Sequence, residues 1–194
     1  MIRIREEELL ALELLKKHFP QYSGLELSDK PDLVDLENSI GVEVTSASNP
    51  KVREREAFYW KKLHGRNIKN FTKTQINLGE EYGLSLLHTK NDGEIFSLAR
   101  TFGAEEQELL HKAIVEKYQK TYQQLNQIDL YIFFRQYCAE GFSYDDLQGL
   151  FQTAHQCEKK YSEAFGKIMV DFYSKLLTLD IRNNSIKVII DYDK

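Results

Sequence analysis

The feature that most constrains this chain is a pair of short apolar runs separated by a polar turn. The runs cover residues 33–36 and 40–44, and the segment Glu37-Asn38-Ser39 lies between them. Apolar runs of this length that flank turn-forming residues are typical of two adjacent antiparallel strands. The sequence therefore predicts a β-hairpin around which the rest of the fold is built.

Two acidic residues stand on this hairpin where their side chains can meet. Asp32 follows Pro31, which has no N–H and therefore favours the start of a strand. Glu43 alternates with Val42 and Val44, so its side chain lies on the opposite face of its strand from the valines. A carboxylate in so apolar a strand needs a cation, a hydrogen-bond donor or water. Two carboxylates that converge on one point suit a hard ion such as Mg²⁺.

The pattern Pro31-Asp32 followed by Glu43-Val44-Thr45 resembles the signature of the PD-(D/E)XK nuclease superfamily, a Pro-Asp on one strand and a Glu-x-Lys on the next. The resemblance implies a restriction-endonuclease-like fold and hydrolysis of phosphodiester bonds in nucleic acid, with DNA expected before RNA. It also implies a site for Mg²⁺ or Mn²⁺ formed by Asp32, Glu43 and the main-chain carbonyl of Val44. Thr45 departs from the signature because its hydroxyl carries no positive charge. Either a lysine from elsewhere replaces the missing one, or the chain is a catalytically inactive nuclease-like module that binds nucleic acid or a protein partner.

Lys117 is the candidate for the replacement lysine. The segment 105–125 has acidic residues in its first turn and apolar residues at helical spacing, which predicts a helix. Lys117 lies on the same face of that helix as Leu110 and Ile114. A lysine on an apolar face either extends along its stem to reach water or reaches a buried carboxylate cluster.

Glu8 is a further candidate for the site. The spacing of apolar residues predicts a helix from about residue 4 to residue 19, and Glu8 lies on its apolar stripe. One interpretation is a first-turn acid that the helix dipole favours. The other comes from the resemblance, because members of that superfamily often carry a glutamate on an N-terminal helix that faces the metal.

The segment 51–73 is strongly basic, with eight lysines and arginines against two glutamates in a chain of net charge -4. With Trp60 among the cations, this composition is typical of surfaces that hold a phosphate backbone and stack on bases. The candidate nucleic-acid-binding residues are Lys51, Arg53, Arg55, Lys61, Lys62 and Arg66. The alternative interpretation is a solvated basic helix whose aromatic residues belong to the core.

The remaining pattern predicts one α/β domain over residues 1–194, with a mixed central β-sheet flanked by helices. Residues 76–104 are a candidate variable insertion, in which two short strands pair across a turn. The other predicted elements are an apolar central strand at 128–134, a helix from its N-cap Ser143 to about residue 164, and strands at 167–173, 176–181 and 186–190.

Other function classes lack their signatures. The sequence has neither Gly-x-x-x-x-Gly-Lys nor Gly-x-Gly-x-x-Gly, and its five histidines are scattered without the spacing of zinc ligands. No segment approaches the roughly 18 uninterrupted apolar residues of a membrane span. The two cysteines show neither metal-ligand spacing nor need of a disulfide, and we expect a cytoplasmic protein. The resemblance is compatible with a homodimer, although the sequence shows no interface signal.

Overall fold

The computed structural model contains two compact units. The first comprises residues 1–47 and 107–194, and the second comprises residues 48–106. The structure describes residues 5–48, 54, 58–63, 65–81, 85–88, 93, 95–99, 104–134, 142–161, 164–172 and 174–192. All four residues predicted to act in catalysis belong to the first unit.

Helices are interspersed among runs of strands along the chain. In chain order the described strands are β1 (Glu26–Leu27), β2 (Leu33–Asp35), β3 (Ile40–Ser46), β4 (Ser85–His88), β5 (Ile95–Ala99), β6 (Gln127–Phe134), β7 (Phe165–Phe172), β8 (Lys175–Asp180) and β9 (Ser185–Asp191). The described α-helices are α1 (Glu6–His18), α2 (Lys73–Glu81), α3 (Ala104–Tyr118) and α4 (Tyr144–Lys160).

The first unit is an α/β domain built on a mixed sheet of seven strands. The strand order is β1-β2-β3-β6-β7-β8-β9. The central strands β3, β6 and β7 are parallel, and the strands on either side of them pair antiparallel. This sheet and its flanking helices confirm the predicted fold class. The predicted hairpin is confirmed as β2 and β3, with Leu33 opposite Val42.

Successive side chains of the central strand β6 lie alternately in two hydrophobic cores, one on each face of the sheet. Leu130 and Ile132 of β6 lie in the core that includes side chains of α3 and α4. Tyr131 and Phe133 lie in the other core, which includes Val44 and side chains of α1. This alternation is the period of two that a strand imposes. It leaves Glu43, between Val42 and Val44 in sequence, on the α3 side of the sheet.

The second unit contains α2 and the antiparallel pair β4 and β5. This pairing confirms the two short strands predicted within 76–104. Gly93, which lies between them in sequence, has a φ of 73°. Such a positive φ favours glycine. Two short helical segments, Tyr59–Leu63 and Ile68–Asn70, precede α2. Most of the helix predicted before them, and Cys138, lie outside the described residues. The assignment of 76–104 as a variable insertion stays a prediction.

Two helices end earlier than the sequence predicts. α3 ends at Tyr118 because the backbone N–H of Lys120 and the hydroxyl of Tyr122 both donate to the carbonyl of Lys117, which closes a turn. α4 begins at the predicted N-cap, where Ser143 accepts a hydrogen bond from the backbone N–H of Asp146, and ends at Lys160. Among the described helices, none has the length and apolar character needed to cross a membrane.

Candidate functional site

Asp32 stands at the point where the pairing of β2 with β3 ends. β2 begins at Leu33, so the backbone N–H of Val44 lies beyond the last paired residues of the two strands. The Asp32 carboxylate accepts this N–H at 2.8 Å and replaces the missing ladder contact. Gly41 leaves room for Pro31, the residue before Asp32, because a Cβ at Gly41 would overlap the proline ring. The hairpin sequence therefore fixes Asp32 against the main chain of β3.

Glu43 is buried, and two lysines contact it. The ammonium of Lys117, in the last turn of α3, donates to Glu43 Oε1 at 2.5 Å and to the main-chain oxygen of Val44 at 3.3 Å. The ammonium of Lys120 donates to the same Glu43 oxygen at 3.2 Å. Lys117 thus reaches the carboxylate cluster, which decides between the two interpretations of its place on the apolar face.

A third cation holds the other two acids. The Arg5 guanidinium donates to Glu8 Oε1 at 2.6 Å and to Asp32 Oδ1 at 3.3 Å. Glu8 also accepts the backbone N–H of Arg5, so it closes the first turn of α1. Glu8 is therefore a first-turn acid, and it is also buried and joined to Asp32 through Arg5. Its place facing a metal stays a prediction. Three carboxylates and three cations form this group, which we call the carboxylate-cation cluster: Arg5, Glu8, Asp32, Glu43, Lys117 and Lys120.

The surroundings of Asp32 disfavour its ionised form. Burial and the adjacent Glu43 charge raise the pKa of Asp32 to about 6, although the Val44 N–H and Lys117 act against the shift. Burial also lowers the pKa of Lys117, against the effect of Glu43. Burial acts to lower the pKa of Lys120 as well, but the Glu43 and Asp32 carboxylates outweigh burial and raise that pKa. Additional positive charge at Asp32 would stabilise its ionised form.

The groups predicted to bind a metal are linked to one another through Val44 and Lys117. Glu43 Oε1 and the Val44 carbonyl share one ammonium group, and Asp32 contacts the N–H of the same Val44. Carboxylate and carbonyl oxygens suit Mg²⁺ or Mn²⁺. In the described part of the chain, no three His, Cys, Asp or Glu side chains are grouped so that they could hold a metal ion. A metal here would therefore rely on two carboxylates and one main-chain carbonyl.

The predicted nucleic-acid-binding residues lie in the second unit. Lys61, Lys62 and Arg66 are described, and all three side chains are exposed, as are Lys69 and Lys73. Lys51, Arg53 and Arg55 lie outside the described residues. Exposure is what a phosphate-binding residue requires, but solvated lysines on an ordinary surface share it, so both interpretations of this segment stay open.

Sequence reasoning missed two members of the cluster. Arg5 precedes Glu8 by three residues and Lys120 follows Lys117 by three, a spacing that brings side chains together on a helix. That spacing was the available signal. It was weak because helical spacing shows which side chains can lie close together but not which carboxylate they contact. In the structure, Arg5 and Lys120 both lie just outside their helices.

Comparison of the chain with protein-family models, with curated proteins and with solved structures finds no match. The similarity to the PD-(D/E)XK superfamily accordingly rests on Pro31, Asp32 and Glu43 and on the order of the elements around them.

Proposed function

We propose that this chain is a metal-dependent hydrolase that cleaves phosphodiester bonds of nucleic acid, with DNA as the expected substrate. The observation that carries the proposal is the double contact of Lys117. Its ammonium bonds both Glu43 Oε1 and the Val44 carbonyl, so these oxygens already hold a cation between them. The expected compartment is the cytoplasm, since the chain has only two cysteines, and Cys157 is free and buried.

The donor set fits a hard divalent ion. Asp32, Glu43 and the Val44 carbonyl would hold Mg²⁺ or Mn²⁺. The positive charge of such an ion would lower the raised pKa of Asp32 and favour its ionised form. Such an ion lowers the pKa of an attacking water and offsets the charge that grows on the phosphate oxygens.

The protein groups divide the remaining tasks. Lys117 takes the role of the lysine that Thr45 replaces: an ammonium has three donors, and within the described residues Glu43 and Val44 account for two of them. The third donor can orient a water or a phosphate oxygen. Glu8 acts through Arg5, which it holds against Asp32. Arg5 thereby keeps the Asp32 carboxylate oriented toward β3.

A cleavage assay on single-stranded, duplex and branched DNA, and on RNA, tests this proposal. With Mg²⁺ or Mn²⁺ we expect cleavage by the wild type, and we expect Glu43→Gln and Lys117→Met to lose about 100-fold or more. Glu116→Gln and Lys112→Met are matched controls, because these residues form an exposed ion pair on the same helix. Both controls are expected to cleave like the wild type. A wild type that cleaves none of these substrates would overturn the proposal.

A second candidate function keeps the fold without catalysis. Lys117 and Arg5 already pair with the carboxylates that a metal requires. If these ion pairs are permanent, no metal can bind, and this favours the second candidate. In that case the chain would be a module that binds nucleic acid or a protein partner. DNA binding by the wild type without cleavage, together with unchanged stability on addition of Mn²⁺, would favour it over the hydrolase.

A further inference from the structure

Lys120 differs from Lys117 in how much of its side chain reaches solvent. The two ammonium groups share Glu43 Oε1, but the Lys117 side chain is 8% exposed and the Lys120 side chain is 50% exposed. Lys117 also bonds a main-chain carbonyl, and its contacts are directed inward. Lys120 therefore stands at the solvent-facing side of the carboxylate-cation cluster.

The turn that carries Lys120 is held by specific contacts. Its backbone N–H donates to the Lys117 carbonyl at 3.2 Å, and the Tyr122 hydroxyl donates to the same oxygen at 3.0 Å. The Tyr122 ring packs on Phe165 of β7, with ring centroids 5.8 Å apart. The turn that carries Lys120 is thus tied to the sheet through Tyr122.

We propose that Lys120 binds the phosphate of the substrate backbone at this site. The inference rests on the proposed function and adds to it the residue that contacts the substrate. Within the described residues, the ion pair that Lys120 makes is with Glu43, which occupies one of its three donors. The other donors can reach an anionic oxygen, while Lys117 remains with Glu43 and Val44.

The alternative for Lys120 is an ion pair that only compensates the charge of the buried Glu43 and does not contact the substrate. In that case its removal would lower stability and leave KM and the salt dependence of binding unchanged. A phosphate contact predicts something different. It strengthens ground-state binding, so its loss raises KM and leaves kcat nearly unchanged. Loss of the contact also lowers the slope of binding affinity against salt concentration by about one.

The experiment compares Lys120→Met, Lys120→Arg and the control Lys112→Met with the wild type in Mg²⁺, using the DNA that the wild type cleaves. We expect Lys120→Met to raise KM about tenfold, to change kcat less than about threefold and to lower the salt slope of DNA binding by about one. Lys120→Arg is expected to restore most of the affinity, since it keeps the charge and the donors. The salt dependence of DNA binding is measured with Ca²⁺ in place of Mg²⁺, so that the DNA is bound but not cleaved during the measurement.

The outcomes separate this inference from the proposed function. If the wild type cleaves and Lys120→Met matches Lys112→Met in KM and salt slope, the inference fails and the function stands. A loss confined to kcat also overturns it, because that result assigns Lys120 to the transition state. A wild type that cleaves no nucleic acid overturns the function and this inference together.

Discussion

Two sets of buried carboxylates in the first unit are stabilised by different kinds of donors. Asp32 and Glu43 are held by cations, whereas Asp129 and Asp171 accept hydrogen bonds from tyrosine hydroxyls. Tyr22 donates to Asp129 at 2.6 Å. Asp171 accepts from the hydroxyls of Tyr131 and Tyr192 at 2.8 Å and 3.0 Å. All four carboxylates are less than a tenth exposed, so burial alone does not distinguish the two sets.

The difference lies in whether the compensating group can be exchanged. Tyr22 and Tyr131 are packed in the core and cannot leave their carboxylates without opening the fold, whereas Tyr192, the second donor to Asp171, is partly exposed. Arg5 and Lys120 are about half exposed, so their charged groups can turn toward solvent or a substrate phosphate, which leaves carboxylate oxygen atoms for another cation. We infer that the hydroxyl-held carboxylates are structural and that the carboxylate-cation cluster is an exchangeable cation site.

The largest expected effect is on stability at Asp129. Asp129→Ala leaves the Tyr22 hydroxyl, the Gln127 amide and the Lys167 backbone N–H without their acceptor. Unpaired buried donors of this kind cost about 1–3 kcal/mol each, so we expect a loss of about 3–4 kcal/mol in the free energy of unfolding. Urea denaturation measures it, with exposed Asp145→Ala as the control. Equal stability of the two variants would refute a structural role for Asp129.

Lys117→Met is expected to cost about 2–3 kcal/mol, because it leaves Glu43 buried with Lys120 as its remaining ion-pair partner. If the cluster exchanges cations, Mn²⁺ should recover most of this loss by binding the folded state. The same Mn²⁺ should not rescue Asp129→Ala. Thermal unfolding with and without Mn²⁺ makes the comparison, and equal responses of both variants would count against the distinction.

The raised pKa of Asp32 predicts a pH dependence of stability. Between its ordinary value near 4 and about 6, the folded state binds more protons than the unfolded state. The free energy of unfolding therefore falls as pH rises through this window, by about 1–2 kcal/mol from this group. Asp32→Asn removes that contribution, so its stability relative to the wild type should increase from pH 4 to pH 6 in EDTA. A constant difference across the window would contradict the shifted pKa.

The smallest expected effect is at Arg5. Because its side chain is half exposed, its ion pairs with Glu8 and Asp32 are screened by water, and Arg5→Gln should cost less than about 1 kcal/mol. Chemical denaturation checks this value. A loss as large as that of Lys117→Met would mean that Arg5 is a structural element rather than an exchangeable cation.

The order of helices and strands followed from local patterns, as did the hairpin. Two apolar runs around a turn predict β2 and β3, and an uninterrupted apolar run predicts the central strand β6. For Lys117 the sequence left two interpretations open, an ammonium group that reaches water or one that reaches buried carboxylates. A helical wheel shows the face on which a side chain lies but not the group that it contacts.

The hydroxyl-held carboxylates could not be predicted in this way. Asp129 lies within the apolar run of β6, and its tyrosine donor is 107 residues distant in sequence. No local spacing indicates such a contact, since it depends on how α1 and the segment after it pack on the sheet. The same reason limits prediction of Lys120, whose position depends on a turn that Tyr122 closes from outside the helix.

The most direct test of the exchangeable site is a calorimetric titration of Mn²⁺ into the wild type, Glu43→Gln and Asp129→Asn. The account predicts one saturable Mn²⁺ site in the wild type and its loss in Glu43→Gln. It predicts that Asp129→Asn retains the site, because this control removes a carboxylate charge outside the carboxylate-cation cluster. Absence of binding by the wild type, or binding that survives Glu43→Gln unchanged, would contradict it.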